Sequence, residues 1–144
     1  MIAATNYVAS VNGQPVAHLA VSTRAGLREA RACRLVVMPE WQGAGVGMRF
    51  LDAVCEMWLQ GQNRYGKPMP TLFHTSHPGL ASALRRSRRW TQVSAHLVGE
   101  SRVRSMASMA LSAARKGTKG PGSGYGGHFR AVQGFRYLGE PPCA

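Results

Sequence analysis

Residues 40–50 read EWQGAGVGMRF, with Gly43, Gly45 and Gly47 at alternate positions directly ahead of an amphipathic run. A glycine costs backbone entropy on folding, so this spacing marks a place where the chain takes a conformation other residues resist, or comes close to something else. Just upstream, residues 35–38 (LVVM) are consecutively apolar, the pattern of a central strand covered on both faces. Just downstream, Val46, Phe50, Leu51, Val54, Met57 and Trp58 fall on one face of a 3.6-residue helix that Gly61 can end. The stretch thus predicts a strand, a tight glycine turn and a helix in direct succession. A helix entered this way presents unpaired backbone N–H groups and the positive end of its dipole, and phosphate suits both.

Toward the amino terminus, two β-rich runs flank Asn12-Gly13, a dipeptide suited to a turn with positive φ at both central residues, so a hairpin is expected with strands near 6–11 and 15–21. Toward the carboxyl terminus, TLFHTS (71–76) reads as another buried strand. HPGLASALRRSRRW (77–90) reads as a short helix entered through Pro78, and TQVSAHLV (91–98) as a further strand. Val103, Met106, Ala107, Ala110, Leu111 and Ala114 repeat at helical spacing, with Ser101 as candidate N-cap and Gly117 as stop. Residues 116–127 hold six glycines in twelve positions and predict a mobile loop, before a last β-prone run, HFRAVQGFRYL. The whole, 1–144, is expected to be one domain of α/β (α+β) class.

Two familiar phosphate signatures are absent: there is no GxxxxGK[ST], and G-x-G-x-G is not GxGxxG. What remains is Gln42-Gly43-Ala44-Gly45-Val46-Gly47 after an apolar strand. This resembles the acyl-CoA loop, [QR]-x-x-G-x-[GA], of the GCN5-related N-acetyltransferase superfamily. The resemblance implies a mixed, mostly antiparallel sheet flanked by helices and an acetyl-CoA or other acyl-CoA cofactor. The backbone from Gly43 through Ala44, Gly45 and Val46 to Gly47 would hold the pyrophosphate, Gln42 would shape the loop, and the backbone of Val36 and Val37 would pair with the pantetheine arm. The alternative is that these glycines only permit tight strand–helix packing. RLVVMPEWQGAGVG, TSHPGL and FRAVQGFRYLG, in that order, also resemble acetyltransferase-like domains associated with ABC-type ATPases, and phage Mom-type proteins that modify adenine in DNA. That narrower likeness implies a nucleic-acid acceptor, DNA before RNA, in a bacterial or phage-infected cell, with an ATPase or an upstream domain as possible partner. The chain departs from the superfamily in starting almost directly at the hairpin, without the usual first strand and helices, so an open acceptor side is expected.

The superfamily's usual general acid is a tyrosine on the helix after the fifth strand, and PGLASALRRSRRW has none. The substitutes are His74, Ser76 and His77, with Glu40 and Tyr125 as further candidates. A neutral imidazole can take a proton at cytoplasmic pH, though SHP also suits capping of the next helix. His74 and His77 lack a clear third ligand, so no metal site is expected.

Eighteen Lys and Arg against six Asp and Glu give a formal charge of +12, which directs attention to polyanions. Arg85, Arg86, Arg88 and Arg89 form one cluster, and Arg102, Arg104, Arg115, Lys116 and Lys119 another. Trp90 and Tyr125 beside them could stack on a base, although Trp90 is better suited to anchoring the core. Cys33, Cys55 and Cys143 show no CxxC or metal spacing, and there is neither a secretory signal pattern nor a long apolar run, so a reducing cytoplasm and no membrane are expected. The leading expectation is an acyltransferase modifying an amino group of a nucleic-acid base. The alternatives are an N-acetyltransferase of a protein or small amine, and a non-catalytic nucleic-acid-binding module.

Overall fold

The computed structural model describes residues 4–96, 102–117 and 131–141. β1 (Thr5–Val11) and β2 (Gln14–Thr23) form the expected hairpin, with Asn12 at φ 50° and Gly13 at φ 78° making its turn. β3 (Ala30–Val37) leads through a 3₁₀ turn (Pro39–Trp41) and the glycine segment into α1 (Val46–Leu59). Then follow β4 (Thr71–Thr75), α2 (Pro78–Arg86), β5 (Trp90–His96), α3 (Arg102–Lys116) and β6 (Val132–Tyr137). The six strands join in the order β1-β2-β3-β4-β6-β5, antiparallel throughout except for the parallel pair β3–β4.

One face of this sheet is covered. Leu19 and Val21 of β2, Phe73 of β4 and Phe135 and Tyr137 of β6 meet Leu51, Val54, Cys55 and Trp58 of α1 and Ala81 and Leu84 of α2 in one buried cluster. Its polar members are satisfied: Trp58 Nε1 donates to Tyr7 Oη at 2.9 Å, Trp90 Nε1 to Asp52 Oδ1 at 2.7 Å, and Tyr137 Oη to Glu56 Oε2 at 2.9 Å. Burial pushes the Cys55 thiol up to about 12, which leaves it an inert packing group.

The other face carries the alternate residues of the same strands, and the described helices leave it open. β3 is central in strand order, but its expected burial on both faces is not found: Arg31 and Arg34 are exposed and Val36 retains 43% of its surface. The run LVVM is apolar because one of its sides meets α1, not both. Met57, assigned to the buried face of α1 by its spacing, stands at the edge of that face with 36% exposed. The helical pattern of residues 103–114 does form α3, yet Val103 (79%), Met106 (52%) and Leu111 (64%) are exposed, so periodicity there marks a helix without marking core.

The contrast between α1 and α3 is measurable by urea denaturation. Leu51→Ala, at a fully buried position, is expected to cost about 2–5 kcal/mol. Leu111→Ala should stay within about 0.5 kcal/mol; equal losses would show that α3 packs as firmly as α1.

Candidate active site

The site begins where two strands part. β3 and β4 pair only through Ala30↔Thr71, Arg31↔Leu72 and Ala32↔Phe73. Beyond Ala32 the β2–β3 register shifts, with Val21 opposite Ala32 and Ala20 opposite Arg34, so Cys33 is an extra residue and the strand bends there. The edge from Cys33 to Val37 is left without a partner on the β4 side, and a cleft of about 930 Å³ opens between it and the β4–α2 junction. Met38 N–H donates to Val16 O on the β2 side, so alternation turns the peptide groups of Val37 and Leu35 toward the cleft and those of Val36 toward β2. Of the two expected cofactor-pairing residues, Val37 thus presents its backbone to the cleft, and the second such residue is Leu35 in place of Val36.

The glycine turn forms the cleft's upper wall. Gly43 (φ 82°) and Gly45 (φ 76°) occupy left-handed conformations, and Gln42 Nε2 ties the turn to the strand by donating to Val37 O at 2.9 Å. Gly47 is required for another reason: a Cβ there would lie 3.1 Å from Val37 Cγ2, so its hydrogen lets helix and strand approach closely. Both explanations of these glycines, turn geometry and packing, therefore apply, each to different ones. α1 starts from Gly45 without a side-chain cap and without an acidic residue in its first turn, and its first helical bond is Arg49 N–H to Gly45 O. The N–H groups at its start therefore have no intrahelical partner, and the positive helix end is not neutralised. Ala44 and Val46 belong to this segment through their backbone. Gln42, Gly43, Gly45, Gly47 and Trp41 border the cleft; Glu40, exposed on the 3₁₀ turn, does not.

Across the gap, His74, Ser76 and His77 all border the cleft, with different environments. β4 ends at Thr75, and the His77 imidazole is committed to α2, its Nδ1 accepting from Leu80 N–H at 3.1 Å. Ser76 is exposed. His74 is partly buried on the open face, and its Nδ1 is buried without a partner among the described residues. Burial first, then the charges of Arg31, Arg24 and His96, hold its pKa below the usual imidazole value of 6.5, so the ring is neutral at physiological pH.

Two neighbours that escaped the sequence reading shape this imidazole. His74 and Ser94 both stand opposite Gly134 of β6, and a Cβ on Gly134 would lie 2.9 Å from His74 Nε2 and 2.3 Å from Ser94 Oγ. The glycine makes room for both side chains over one backbone position. A glycine inside an aromatic strand, as in VQGFRY, was the available signal.

The basic residues divide. Arg85 and Arg86 are exposed at the end of α2, Arg86 donating to Ser82 Oγ at 2.9 Å, and Arg88, beyond the helix, is exposed as well. Arg89 is clamped between Asp52 (3.4 Å) and Glu140 (2.5 Å), and Trp90 is 5% exposed with its N–H bonded to Asp52; neither is free to meet a nucleic acid. Both serve to fasten β5 to α1. Lys119 and Tyr125 lie outside the described residues, as does the side chain of Lys116. Among the described residues no three His, Cys, Asp or Glu side chains gather as metal ligands, and no helix is long and apolar enough to cross a membrane.

Solved structures share this fold. A ribosomal-protein-alanine N-acetyltransferase of Brucella melitensis superposes with a TM-score of 0.57 at 16% identity, covering 94% of this chain and 68% of that one. The fold is that of the N-acetyltransferases. A variant of the spermidine N-acetyltransferase of Vibrio cholerae gives 0.59 at 14% identity over 94% and 66% of the two chains. A Bacillus anthracis protein in complex with acetyl coenzyme A gives 0.55 at 13% over 98% and 65%. No protein-family model matches the sequence, and no curated protein matches it.

Gly134→Ala tests that row of side chains. The added methyl should cost about 1–3 kcal/mol in thermal or urea unfolding, by overpacking against Ser94 and His74. Ser94→Ala in the same chain should recover part of the loss; no recovery would mean that the two residues do not share the space.

Proposed function

We propose that the protein is an acyltransferase that takes an acyl group from acyl-CoA and places it on an amino group of a nucleic-acid base, DNA before RNA. The observation that carries the first half is the uncapped N-terminus of α1 beside a strand edge with no partner. The fit is chemical: backbone N–H donors without acceptors suit a diphosphate, and the Leu35 and Val37 peptide groups suit the amide-bearing arm of a CoA. A bound acyl-CoA supplies the acyl group as an activated thioester.

His74 would act as general base. Its neutral ring would take the proton that the acceptor nitrogen loses as the new N–acyl bond forms and the thioester C–S bond breaks, the CoA thiolate leaving and taking up a proton from solvent, and its lowered pKa keeps it unprotonated for that purpose. Gly134 leaves room for the ring over β6 with Ser94 across the same position, and Ser76, exposed at the mouth, would hydrogen-bond an arriving acceptor. Charge selects the acceptor. The charges of Arg31 and Arg24 are felt at His74, so an ammonium, the resting form of an alkyl amine, would be disfavoured there, whereas a base amine is uncharged and arrives on a polyanion. This is why the nucleic-acid reading is preferred to acylation of a lysine or a polyamine.

Calorimetry with acetyl-CoA tests the cofactor half. The unmodified chain should release heat at micromolar concentrations, and Gly45→Asp, which adds a carboxylate at the diphosphate position, should weaken binding at least 100-fold. No heat from the unmodified chain would leave only a binding module. Mass spectrometry of single-stranded DNA, RNA and a lysine peptide, each incubated with acetyl-CoA and the protein, tests the acceptor. A gain of one acetyl group on the peptide alone would overturn the nucleic-acid half.

The pH dependence has a fixed sign. Protonation removes the base, so kcat/KM should fall as pH drops through a value below 6.5 and be flat on this account above neutrality. His74→Gln should lower kcat by about 10²–10⁴-fold and abolish that acid limb; an unaltered profile would remove His74 from the mechanism.

A further inference from the structure

The arginines that the sequence groups together are not the ones the fold groups together. On the open face, Arg31 and Arg136 lie on either side of Leu72, in register across β3, β4 and β6, and Arg34 follows on β3, opposite Ala20. At the end of the same face a hollow of about 600 Å³ is lined by Arg24, Arg28, Glu29 and Arg136. Glu29 is the one acid in that hollow, and it is shared, accepting from Arg24 at 3.1 Å and from Arg136 at 2.8 Å. Arg28, Arg31 and Arg34 form no ion pair among the described residues, and Nε of Arg136 is buried without a partner. Five guanidinium groups thus face one carboxylate.

We propose that this open face of the sheet, from the Arg24–Arg28–Arg136 hollow over Arg31 to Arg34, is the docking surface for the sugar–phosphate backbone of a single-stranded nucleic acid. This deepens the reading above and rests on its nucleic-acid half. Geometry favours it: strands lie about 4.8 Å apart, so β3 and β6, separated by β4, are about 10 Å apart, and the arginines form a track longer than one phosphate can occupy. Arg34 belongs both to this track and to the lining of the cleft, so a strand lying on the track passes the mouth at which His74 sits. A single strand is the form that fits, because a base amine can meet His74 only when the base is out of its stack. The arginines of α2 lie on the helix-covered side and are not part of the track.

The experiment is fluorescence anisotropy of a labelled single-stranded 12-mer over a salt series, with the full chain. Arg28→Gln/Arg31→Gln should weaken binding at low salt at least tenfold and reduce the slope of log K against log salt by about 1.4, the share of two single-strand phosphate contacts. Arg85→Gln/Arg86→Gln should change neither. Acetyl-CoA calorimetry of the first variant should match the unmodified chain, since neither residue borders the cleft. As a measurement that needs no variant, phenylglyoxal labelling read by mass spectrometry should show the oligonucleotide protecting Arg28 and Arg31 and leaving Arg85 reactive. Loss of binding from the α2 variant alone, protection of Arg85 alone, or tighter binding of the same sequence as a duplex would each overturn the track. No binding of any oligonucleotide by the unmodified chain would overturn both the track and the nucleic-acid acceptor, while leaving the acyl-CoA reading to its own test.

Discussion

The short parallel pairing of β3 with β4 is the constraint on which the site depends. Three residues pair, the extra residue Cys33 then bends β3 away, and none of the described residues re-forms the ladder. Every unpaired peptide group on the exposed edge would be costly if it were buried without a partner. The edge therefore has to face water or a ligand that brings hydrogen-bonding groups of its own. The same divergence places the start of α1 at the top of the gap, because the turn from Pro39 to Gly45 is too short to carry the chain elsewhere. Strand edge and helix end are thereby consequences of one bend.

Core and site are kept apart by the sheet itself. Alternation sends Ala30, Ala32, Leu35 and Val37 toward the side of α1 and α2, and Arg31 and Arg34 to the opposite side. The strong hydrogen bonds of Asp52 and Glu56 to Trp90 and Tyr137 all lie on the covered side. Asp52, Glu56 and Glu29 are thus engaged near the core or in the rim pairs, which leaves the open face with an excess of cations. Five of the eighteen Lys and Arg thus stand on or beside that face with one carboxylate among them.

The sequence made the succession of strand, turn and helix legible because each carries a local signature: the consecutive apolar run of residues 35–38, the left-handed glycines and the 3.6-residue spacing of Leu51, Val54 and Trp58. The hairpin at Asn12-Gly13 was legible for the same reason. What could not be read is non-local. Register across β3, β4 and β6 brings Arg31 beside Arg136, 105 positions away in the chain (136 − 31), and Ser94 opposite the glycine that faces His74. Clusters such as Arg85 to Arg89 are conspicuous in a linear string, yet α2 ends at Arg86, Arg88 and Arg89 fall in the turn beyond it, and two carboxylates consume Arg89. The apolar stripe of α3 carried the signature of a buried face, and periodicity does not contain the information that Val103, Met106 and Leu111 stand exposed among the described residues.

The arginines beside His74 have a second effect that follows from their first. They help to lower its basicity by disfavouring a positive ring, along with burial. A polyanion lying on Arg24 and Arg31 would neutralise part of that field, and the imidazole would become more basic as the acceptor arrived. Before that, the ring would stay neutral and a weak base, poorly suited to drawing protons from stray amines. An alkyl ammonium would gain nothing from this arrangement, since it brings no negative charge to lift the basicity and must lose a proton held far more tightly than imidazole holds its own. On the proposed reaction, the electrostatics of the open face would bear on selectivity twice, once in attraction and once in the readiness of the base.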